Sequence, residues 1–360
     1  MKILQIIYSL SSGGAERFVV DLCNRLVLNP NDEVVLLTVC DSNNPRMVHY
    51  LPNLSPKVRF VNLHEAHGLS LSSMMKVYAF VKKEKPDVVH LHSNMVLGYP
   101  TFLLYRECNY VHTLHSLPYF CLSNSYCKIP NRWFYRNRVH GITISKECQQ
   151  SFNNLYHDTP SVLVTNGREP QTITSKYEDV KSEIEKYTSC KDTIVFIHVA
   201  RKHPVKNQDM LFSVFERLDK EGIEFHLFVL GAGYVAEQKQ YANHPKIHII
   251  GEKNNVSDYL SFAHFFVLTS KLEGLPLTLL EAMSMGVTPI CTPAGGIVDV
   301  IRDGENGYVT NGFEEEEFYQ KVKHALSEIG CISSDLVRKE FIENYSMKTC
   351  AEKYHQVYEL

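Results

Sequence analysis

The chain has 360 residues, of which 44% are hydrophobic and 21% charged, with a formal net charge of −3. This length predicts two domains of about 150 to 200 residues each, and the composition excludes a largely disordered chain. The small net charge gives no reason to expect nucleic-acid binding. Residues 1–170 carry 17 Lys and Arg against 12 Asp and Glu, a net +5, whereas residues 171–360 carry 20 against 28, a net −8. This asymmetry favours two domains with different partners.

The ten cysteines are scattered, without a C-x-x-C pair or a zinc-type spacing with histidine. Such scattering is typical of reduced thiols in a cytosolic protein. No apolar run reaches the roughly 18 residues that a membrane-spanning helix needs. The first apolar run is short, contains Gln5 and continues into a predicted helix, so we interpret it as a β-strand and not as a signal peptide.

Short apolar runs that predict buried strands alternate with amphipathic stretches that predict helices. In the first half the predicted strands are 2–9, 33–39, 57–63, 87–93, 110–116, 140–145 and 161–166, with helices at 14–27 and 70–85. In the second half the predicted strands are 192–200, 225–231, 246–251, 264–270, 287–292 and 307–310, with helices at 207–220, 256–263, 314–326 and 346–360.

This alternation predicts an α/β protein with parallel sheets that are covered on both faces. The polar stretch 166–187 is the expected boundary between two such sheets. In open parallel sheets, ligands bind outside the carboxyl ends of the strands. The loops that follow the strands are therefore where functional residues are expected.

Two of these loops are candidates for anion binding. Gly13 and Gly14 follow the first strand and open the first helix, where backbone amides favour an anion; a plain tight turn is the alternative. Arg201 and Lys206 lie five residues apart after the first strand of the second half. A guanidinium fork beside a mobile ammonium suits a diphosphate, although surface basic residues are often only solvated.

The stretch SKLEGLPLTLLEAMSMGVTPI, residues 270–290, combines two carboxylates with a predicted helix start. Pro276 suits the first helical position, because its missing N–H would be unpaired there anyway. The amides of Leu277 and Thr278 would then be free to bind an anion at the positive end of the helix dipole.

Glu273 precedes this helix, and Glu281 is predicted in its second turn on a polar stripe with Thr278 and Ser284. A carboxylate accepts paired hydrogen bonds from a vicinal diol, so sugar or ribose hydroxyls are the expected partners. An amphipathic helix with one exposed acid is the alternative interpretation.

A second glycine pair, Gly295 and Gly296, also separates a strand from a helix. It adds another loop at which backbone amides favour an anion. No D-x-D pair is present, so the usual carboxylate grip on a metal-bound nucleotide diphosphate is missing. We therefore expect no metal and no other cofactor. Arg201, Lys206 and helix amides would neutralise a departing diphosphate instead.

In this order the motifs resemble those of GT-B-fold glycosyltransferases of family 4, the glycosyl transferases group 1. The resemblance covers nearly the whole chain and rests on the E-x7-E pattern of Glu273 and Glu281, on RKHPVKNQ at 201–208 and on GGAER at 13–17. The sequence departs from the family pattern at Asn207, where glycine is common, and at Asp299, where glutamate is common.

The resemblance implies two Rossmann-like, doubly wound parallel-sheet domains that face each other across a cleft. An acceptor-side domain would span 1–170 and be completed by a C-terminal helix at about 345–360. A nucleotide-sugar donor domain would span 171–344. The expected reaction is a retaining, metal-independent hexosyl transfer from a UDP- or GDP-sugar to a glycan or lipid-linked acceptor, as in bacterial lipopolysaccharide or capsule synthesis.

The resemblance also implies roles for individual residues. Arg201 and Lys206 would stabilise the leaving diphosphate, Glu273 would bind sugar hydroxyls, and Glu281 the ribose diol. His115 would lie near the reacting sugar, with a structural histidine as the alternative. The segment that would contact the donor comprises Gly274, Leu275, Pro276, Leu277 and Thr278. Gly13 and Gly14 would contact the donor from the first domain. The loop expected around the base contains Gly251, Glu252 and Lys253.

For the mechanism, we favour front-face attack over double displacement. Double displacement needs a nucleophile close to the anomeric carbon, and Glu273 is the only obvious carboxylate for that role. Its position in a loop before a helix would leave the Glu273 carboxylate out of line for attack on the anomeric carbon.

Residues 118–141 mix basic and aromatic side chains, as interfacial helices do. Arg132, Trp133 and Arg136 therefore predict contact with a membrane surface or with a lipid-diphosphate acceptor. The expected location is the cytoplasm, or the cytoplasmic face of the inner membrane. The alternative is a helix whose aromatic residues pack inward and whose arginines are solvated.

Three competing functions follow from the same residues. The segment VLGAGYVAEQ, residues 229–238, fits a G-x-G-x-x-A dinucleotide fingerprint, with Glu252 twenty-one residues beyond Gly231. It would predict an NAD-binding protein. The other two keep the fold: a nucleotide-sugar epimerase or hydrolase, and a non-catalytic sugar-nucleotide binder.

Overall fold

The computed structural model describes residues 1–40, 43–65, 69–92, 94–119, 125–157, 159–188 and 193–360. The chain divides into two units, each with its own sheet and core. Unit 1 comprises Met1–Glu169 together with Met347–Leu360, and unit 2 comprises Pro170–Ser346.

In the part of the chain that the structure describes, thirteen strands form two parallel sheets. The strands of unit 1 are β1 (Lys2–Ile7), β2 (Glu33–Cys40), β3 (Arg59–Glu65), β4 (Val88–Leu91), β5 (Asn109–Leu114), β6 (Val139–Thr143) and β7 (Ser161–Leu163). The strands of unit 2 are β8 (Ile194–Val199), β9 (Phe225–Leu230), β10 (Ile247–Gly251), β11 (Phe265–Leu268), β12 (Thr288–Cys291) and β13 (Tyr308–Val309).

Fourteen α-helices connect or follow these strands in the described residues. They are α1 (Gly14–Leu26), α2 (Leu71–Glu84), α3 (Tyr99–Leu104), α4 (Lys128–Asn137), α5 (Lys146–Tyr156), α6 (Tyr177–Glu185), α7 (Gln208–Lys220), α8 (Val235–Gln240), α9 (Val256–Leu260), α10 (Leu277–Ser284), α11 (Ile297–Val300), α12 (Glu315–Ser327), α13 (Ser334–Asn344) and α14 (Met347–Tyr358). The last of them, α14, belongs to unit 1.

Both sheets have a doubly wound strand order. In unit 1 the order is β3-β2-β1-β4-β5-β6-β7, and in unit 2 it is β10-β9-β8-β11-β12-β13. In each sheet the first strand of the unit is central and the order reverses beside it, which is where doubly wound folds bind their ligands. The carboxyl ends of β1 and β4 in unit 1, and of β8 and β11 in unit 2, therefore mark the places to look for a site.

Most strands are buried on both faces, as is typical of parallel sheets covered by helices, whereas β3 and β7, at the two edges of the sheet in unit 1, contain no fully buried residue. In β2, for example, every residue except the first, Glu33, is buried. The core of unit 1 gathers residues from its strands, α2, α4 and α5, and a separate core fills unit 2. This burial explains why apolar runs predicted the inner strands, and the two parallel sheets confirm the α/β fold class.

The helices of unit 2 that were not predicted include α6 and α13. The helix α6 lies within the polar stretch 166–187, where only Val180 and Ile184 face the core, so its apolar stripe is too narrow to recognise in the sequence. The helix α13 is similarly polar and buries Val337 and Phe341. No described helix combines the length and apolar character needed to span a bilayer.

Candidate active site

The loop after β8 presents the basic residues of unit 2. Arg201 is exposed and its side chain has no ionic partner among the described residues, whereas Lys202 is paired with Asp209 at 2.7 Å and with Glu237 at 2.8 Å. A short 3₁₀ turn then carries Lys206. Arg201 is therefore a guanidinium that is available to an anionic ligand.

Lys206 is paired with one of the two predicted carboxylates. Its Nζ lies 2.6 Å from Oε1 of Glu273, and their side chains are only 22% and 10% exposed. The backbones of the two loops are also joined, since the amide of Lys271 donates to the carbonyl of Val205 at 2.8 Å. The hydroxyl of Thr269 donates to the carbonyl of Lys206 at 3.0 Å. The basic loop and the Glu273 loop thus form one connected structure at the ends of β8 and β11.

Gly295 holds the backbone of Glu273 in place from the end of β12. A Cβ atom on Gly295 would lie 1.9 Å from the carbonyl oxygen of Glu273, and the φ of Gly295 is +57°. The next amide, of Gly296, donates to the carbonyl of Gly274 at 2.6 Å. This glycine pair was predicted as an anion-friendly junction, but its visible contacts are with the Glu273–Gly274 backbone.

The start of α10 differs in one detail from the sequence-based prediction. Pro276 is the N-cap, with extended backbone at ψ 122°, and the helix begins at Leu277. The prediction of Pro276 as first helical residue was therefore wrong by one position. The first amides of a helix have no acceptor inside it, so those of Leu277 and Thr278 are still at the open positive end. Leu275 and Pro276 are buried beneath this end, and Gly274 is partly buried.

Glu281 lies in α10 and is partly exposed, like Thr278. The prediction that Ser284 shares this polar stripe was wrong, because Ser284 is only 8% exposed. Its hydroxyl donates to the carbonyl of Glu281 at 2.7 Å and accepts from the amide of Gln171 at 3.1 Å. A serine that satisfies its hydroxyl within the protein can be buried where its position on the helix suggests exposure.

The glycines after β9 pack against the basic loop. A Cβ on Gly231 would lie 2.1 Å from the carbonyl oxygen of Ala200, and the amide of Lys202 donates to the carbonyl of Ala232 at 2.8 Å. The G-x-G pattern is thus explained by close backbone approach, and the helix after it, α8, has only six residues. A dinucleotide site would instead be expected at the central strand, β8, so the NAD-binding alternative is not favoured.

The loop expected around a nucleotide base follows β10. Gly251 is buried, Glu252 is exposed and Lys253 is partly exposed. The amide of Gly231 donates to the carbonyl of Gly251 at 2.8 Å, so this loop is tied to the one after β9. The ammonium of Lys253 lies 5.7 Å from the ring centre of Tyr259.

In unit 1 the carboxylate of Glu16, in the first turn of α1, lies against Gly13. The hydroxyl of Ser11 donates to Oε1 of Glu16 at 2.9 Å, and a Cβ on Gly13 would lie 2.2 Å from Oε2 of Glu16. Gly14 has open space around it. A cavity of about 520 Å³ beside this loop is lined in part by Ser11, Ser12, Glu16, Arg46 and His49.

Unit 1 also places His115 in a cluster of histidines at the ends of β4 and β5. Its Nε2 lies 3.0 Å from Nδ1 of His92, and its ring makes an edge contact with Phe18 at 5.4 Å between ring centres. His115 is partly buried. Burial and then the neighbouring His112 lower the pKa of His115 to about 3, so the ring is neutral at physiological pH. The sequence analysis did not identify His92, although two neighbouring strand ends each carry a pair of histidines, His90 and His92 in DVVHLHS and His112 and His115 in YVHTLHS.

The predicted membrane-facing residues lie on α4. Ile129 is 80% exposed, Trp133 is 49% exposed, and Arg136 is also exposed. Phe134 is buried in the core of unit 1, and Arg132 is partly buried. The aromatic residues therefore divide between the core and the surface. Residues 120–124 of the predicted segment 118–141 lie outside the described residues.

The site in unit 2 combines positive charges, backbone amides and carboxylates, which together suit an anionic, hydroxyl-rich ligand. They lie in the segments that follow two neighbouring strands, β8 and β11. Arg201 and Lys206 supply positive charge, the start of α10 supplies backbone amides, and Glu273 and Glu281 supply carboxylate acceptors. Within the described ranges, no group of three or more His, Cys, Asp or Glu side chains could hold a metal ion.

Two doubly wound parallel-sheet units are the architecture of the GT-B fold, and two family models match the chain. "Glycosyl transferases group 1" matches residues 179–344, and "Glycosyltransferase Family 4" matches residues 12–172. The chain belongs to the group 1, family 4 glycosyltransferases. The family assignment predicted from the motifs is therefore confirmed, and the epimerase, hydrolase and NAD-binding alternatives are not favoured.

Characterised relatives match along nearly their full length. The chain is 21% identical to UDP-Gal:alpha-D-GlcNAc-diphosphoundecaprenol alpha-1,3-galactosyltransferase of Escherichia coli, over 92% of this chain and 90% of that protein. It is 24% identical to N-acetylgalactosamine-N,N'-diacetylbacillosaminyl-diphospho-undecaprenol 4-alpha-N-acetylgalactosaminyltransferase of Campylobacter jejuni, over 98% and 95%. The crystal structure of HepE of Anabaena in complex with UDP-glucose superposes with a TM-score of 0.78 at 16% identity, covering all of both chains, and supports the GT-B fold.

Proposed function

We propose that this glycosyltransferase moves a hexose from a nucleoside-diphosphate sugar to a glycan or lipid-linked saccharide, with retention of anomeric configuration and without a metal. The observation that carries the proposal is the set of groups around the Lys206–Glu273 ion pair of 2.6 Å. It combines a cation for a diphosphate with a carboxylate for a sugar, in the unit that matches the group 1 model.

For the donor, we assign the diphosphate to Arg201, Lys206 and the first amides of α10. A planar guanidinium, a mobile ammonium and a helix start are each suited to phosphate oxygens. Glu273 would accept hydrogen bonds from the sugar, and Glu281 from the ribose diol. The Gly251–Lys253 loop would border the base. UDP or GDP is the expected nucleotide.

For the acceptor, we assign the cavity beside Gly13 and Gly14 in unit 1. The Glu16 carboxylate already lies against Gly13, so this loop suits hydroxyl groups better than the donor phosphates first expected there. Two relatives act on diphosphoundecaprenol-linked saccharides by their names, which supports a lipid-linked acceptor in surface polysaccharide synthesis. The reaction would then take place at the cytoplasmic face of the inner membrane.

In the proposed mechanism, the acceptor oxygen attacks the anomeric carbon on the face from which the diphosphate departs. The bond from the anomeric carbon to the phosphate oxygen breaks, the new glycosidic bond forms, and the acceptor proton passes to the leaving phosphate. Arg201 and Lys206 would neutralise the growing negative charge, which is the role that a metal has in other enzymes. In this path Glu273 accepts hydrogen bonds from the sugar hydroxyls, and it is not required as the nucleophile that double displacement needs.

A thermal-shift screen against UDP, GDP, ADP, CMP and NAD tests the donor site. A ligand at 100 times its Kd stabilises a protein by about 2.7 kcal/mol. We expect stabilisation by one nucleoside diphosphate, which Arg201→Ala and Glu281→Ala abolish. Lys271→Ala is the matched control, because Lys271 is exposed in the same region and has no assigned role. A response only to NAD would contradict the proposal.

We further propose that the exposed face of α4 contacts anionic lipid. Ile129 and Trp133 are one turn apart on α4, and Arg132 and Arg136 lie on the same helix, an arrangement suited to a membrane surface. Co-sedimentation with phosphatidylglycerol vesicles should weaken in Trp133→Ala and in Arg136→Glu. Lys82→Glu makes the same charge change on exposed α2 and should leave binding unchanged. An equal loss in Arg136→Glu and Lys82→Glu, with unchanged binding of Trp133→Ala, would indicate a nonspecific charge effect and contradict this surface.

A further inference from the structure

A chain of buried hydrogen bonds joins the C-terminal helix α14 to His115. The hydroxyl of Tyr358 accepts from Nε2 of Gln5 at 2.9 Å. Oε1 of Gln5 lies 2.6 Å from Nε2 of His92, and Nδ1 of His92 lies 3.0 Å from Nε2 of His115. Tyr358, Gln5 and His92 are 1%, 0% and 7% exposed, so water cannot readily replace these partners.

The amide of Gln5 gives this chain a direction, because one end of an amide only donates and the other only accepts. Since Nε2 donates to Tyr358, Oε1 is the acceptor that faces His92. His92 must therefore carry its proton on Nε2. A neutral imidazole carries one N–H, so Nδ1 of His92 has a lone pair and accepts from Nε2–H of His115.

A second branch is consistent with this direction. The Tyr358 hydroxyl, which accepts from Gln5, can donate its own hydrogen to Nδ1 of His90 at 2.7 Å. Nε2 of His90 then donates to the hydroxyl of Thr113 at 2.8 Å. Each group in the two branches has one consistent role, as expected of a fully satisfied buried network.

The histidines of the network carry no charge near neutral pH. Burial, followed by repulsion from the other histidines of the cluster, holds the pKa values of His90 and His92 well below the usual range. Contact with Phe18 and a stacked His92–His115 pair, 5.2 Å between ring centres, restrict rotation of the His115 ring. No described residue donates a hydrogen bond to Nδ1 of His115.

We propose that Tyr358, through Gln5 and His92, holds His115 as the neutral Nε2–H tautomer and so directs an Nδ1 lone pair at the substrate. Tyr358, Gln5 and His92 are positioning residues, and His115 is the residue that accepts a hydrogen bond from a substrate hydroxyl. The identity of that hydroxyl, on the transferred sugar or on the acceptor, rests on the proposed function. The tautomer itself does not, because the network lies entirely within unit 1.

Imidazole ¹⁵N NMR of histidine-labelled, ligand-free protein tests the tautomer. Protonated and unprotonated ring nitrogens differ widely in chemical shift, and His115→Asn assigns the resonances. We expect His115 with a protonated Nε2 and an unprotonated Nδ1. In Tyr358→Phe the ring and its packing stay, but the hydroxyl that orients Gln5 is lost, so a mixture of the two tautomers should appear.

Tyr354→Phe is the matched control. Tyr354 lies on the same helix, is fully buried and loses only its contact of 2.9 Å with the Thr113 hydroxyl, outside the Gln5 branch. It should leave the His115 spectrum unchanged. An even tautomer mixture in Tyr358→Phe halves the competent population, so kcat/KM for transfer should fall by about twofold, with no fall in Tyr354→Phe.

A protonated Nδ1 in the wild-type protein, or an unchanged His115 spectrum in Tyr358→Phe, would overturn the inference. Both results are obtained without substrate, so they are independent of the proposed function. If the expected tautomer is found but no sugar is transferred, the proposed function fails and the positioning network stands.

Discussion

The ammonium nitrogen of Lys206 lies 2.6 Å from a carboxylate oxygen of Glu273, although 67 residues separate them in the sequence. The pair links the loops after β8 and β11, and both side chains are largely shielded from water. A diphosphate that binds Lys206 would compete with Glu273 for the same ammonium. Donor binding would thereby free the carboxylate to accept hydrogen bonds from the sugar.

This arrangement predicts different defects for the two partners. Lys206→Ala should weaken binding of the nucleoside diphosphate and lower kcat/KM by about 100-fold to 1,000-fold, as loss of one charge-stabilising group typically does. Glu273→Gln should keep nucleoside-diphosphate binding, since the lysine becomes free, and should lose binding of the sugar part. Calorimetric titration with the nucleotide and with the nucleotide sugar distinguishes the two.

Lys271→Ala is the control for this pair, because it removes an exposed lysine near the Glu273 loop. Its titrations should match those of the wild type. If Lys206→Ala binds the nucleotide with unchanged affinity, Lys206 is not part of the diphosphate site.

Gly295 should be intolerant of any side chain. Alanine there would place Cβ 1.9 Å from the carbonyl oxygen of Glu273 at a φ of +57°. Gly304 has a similar φ of +76° but open space around it, so Gly304→Ala should cost only the left-handed backbone penalty of about 1 to 2 kcal/mol. We expect Gly295→Ala to lower the free energy of unfolding in urea by more, and to displace Glu273. Equal losses in the two variants would show that the close contact does not matter.

The backbone conformation of residue 207 explains why asparagine can stand where glycine is common in the family. Asn207 follows Lys206 with φ +52° and ψ 43°, in the left-handed region, which asparagine and glycine adopt more readily than other residues. Asn207→Gly should therefore preserve the loop and the activity, whereas Asn207→Val should lower the unfolding free energy by about 1 to 2 kcal/mol or more. Tm and nucleotide affinity check both variants. An Asn207→Val variant as stable as Asn207→Gly would contradict this explanation.

The buried histidines predict acid sensitivity of unit 1. The folded-state pKa of His115 is about 3, against 6.5 for an ordinary histidine, and those of His90 and His92 are also lowered. Between about pH 6.5 and pH 3 the unfolded chain therefore binds more protons than the folded chain. The contribution to stability is fully present above pH 6.5 and is lost as the pH falls, by up to about 1.4 kcal/mol per pH unit for each histidine.

Urea unfolding between pH 7.5 and pH 5 measures this slope while most carboxylates stay ionised. The single tryptophan, Trp133, lies on α4 and reports on unit 1. His92→Gln should reduce the slope of the unfolding free energy against pH by the amount that corresponds to about one proton. The exposed His324 of α12 provides the control, and its replacement by Gln should have no effect. A stability that does not depend on pH in this range would show that the histidines are not buried as neutral rings.

The sequence predicted the fold well because burial on both faces of a parallel sheet produces apolar runs. Arg201, Lys206 and Glu273 were candidates because they follow predicted strands, and Glu281 because it lies in the short helix that comes next. The sequence could not predict the Lys206–Glu273 pair, since contacts between distant loops have no local signal.

Three features of the site depend on packing that no local pattern encodes. The support of Glu273 by Gly295 requires knowledge of how close two backbones approach. The burial of Ser284 depends on a hydrogen bond from the amide of Gln171, more than 100 residues away. The His115 network needs partners from β1, β4 and α14, which come together only in the folded unit.

The most direct test is a transfer reaction with UDP- and GDP-sugars and a lipid-diphosphate saccharide as acceptor. Mass spectrometry of the product and NMR of its new anomeric centre provide the readout. We predict an acceptor extended by one sugar with the anomeric configuration of the donor, and loss of this product in Lys206→Ala. Donor that is hydrolysed or epimerised with no extended acceptor, or a product with inverted configuration, would contradict the account.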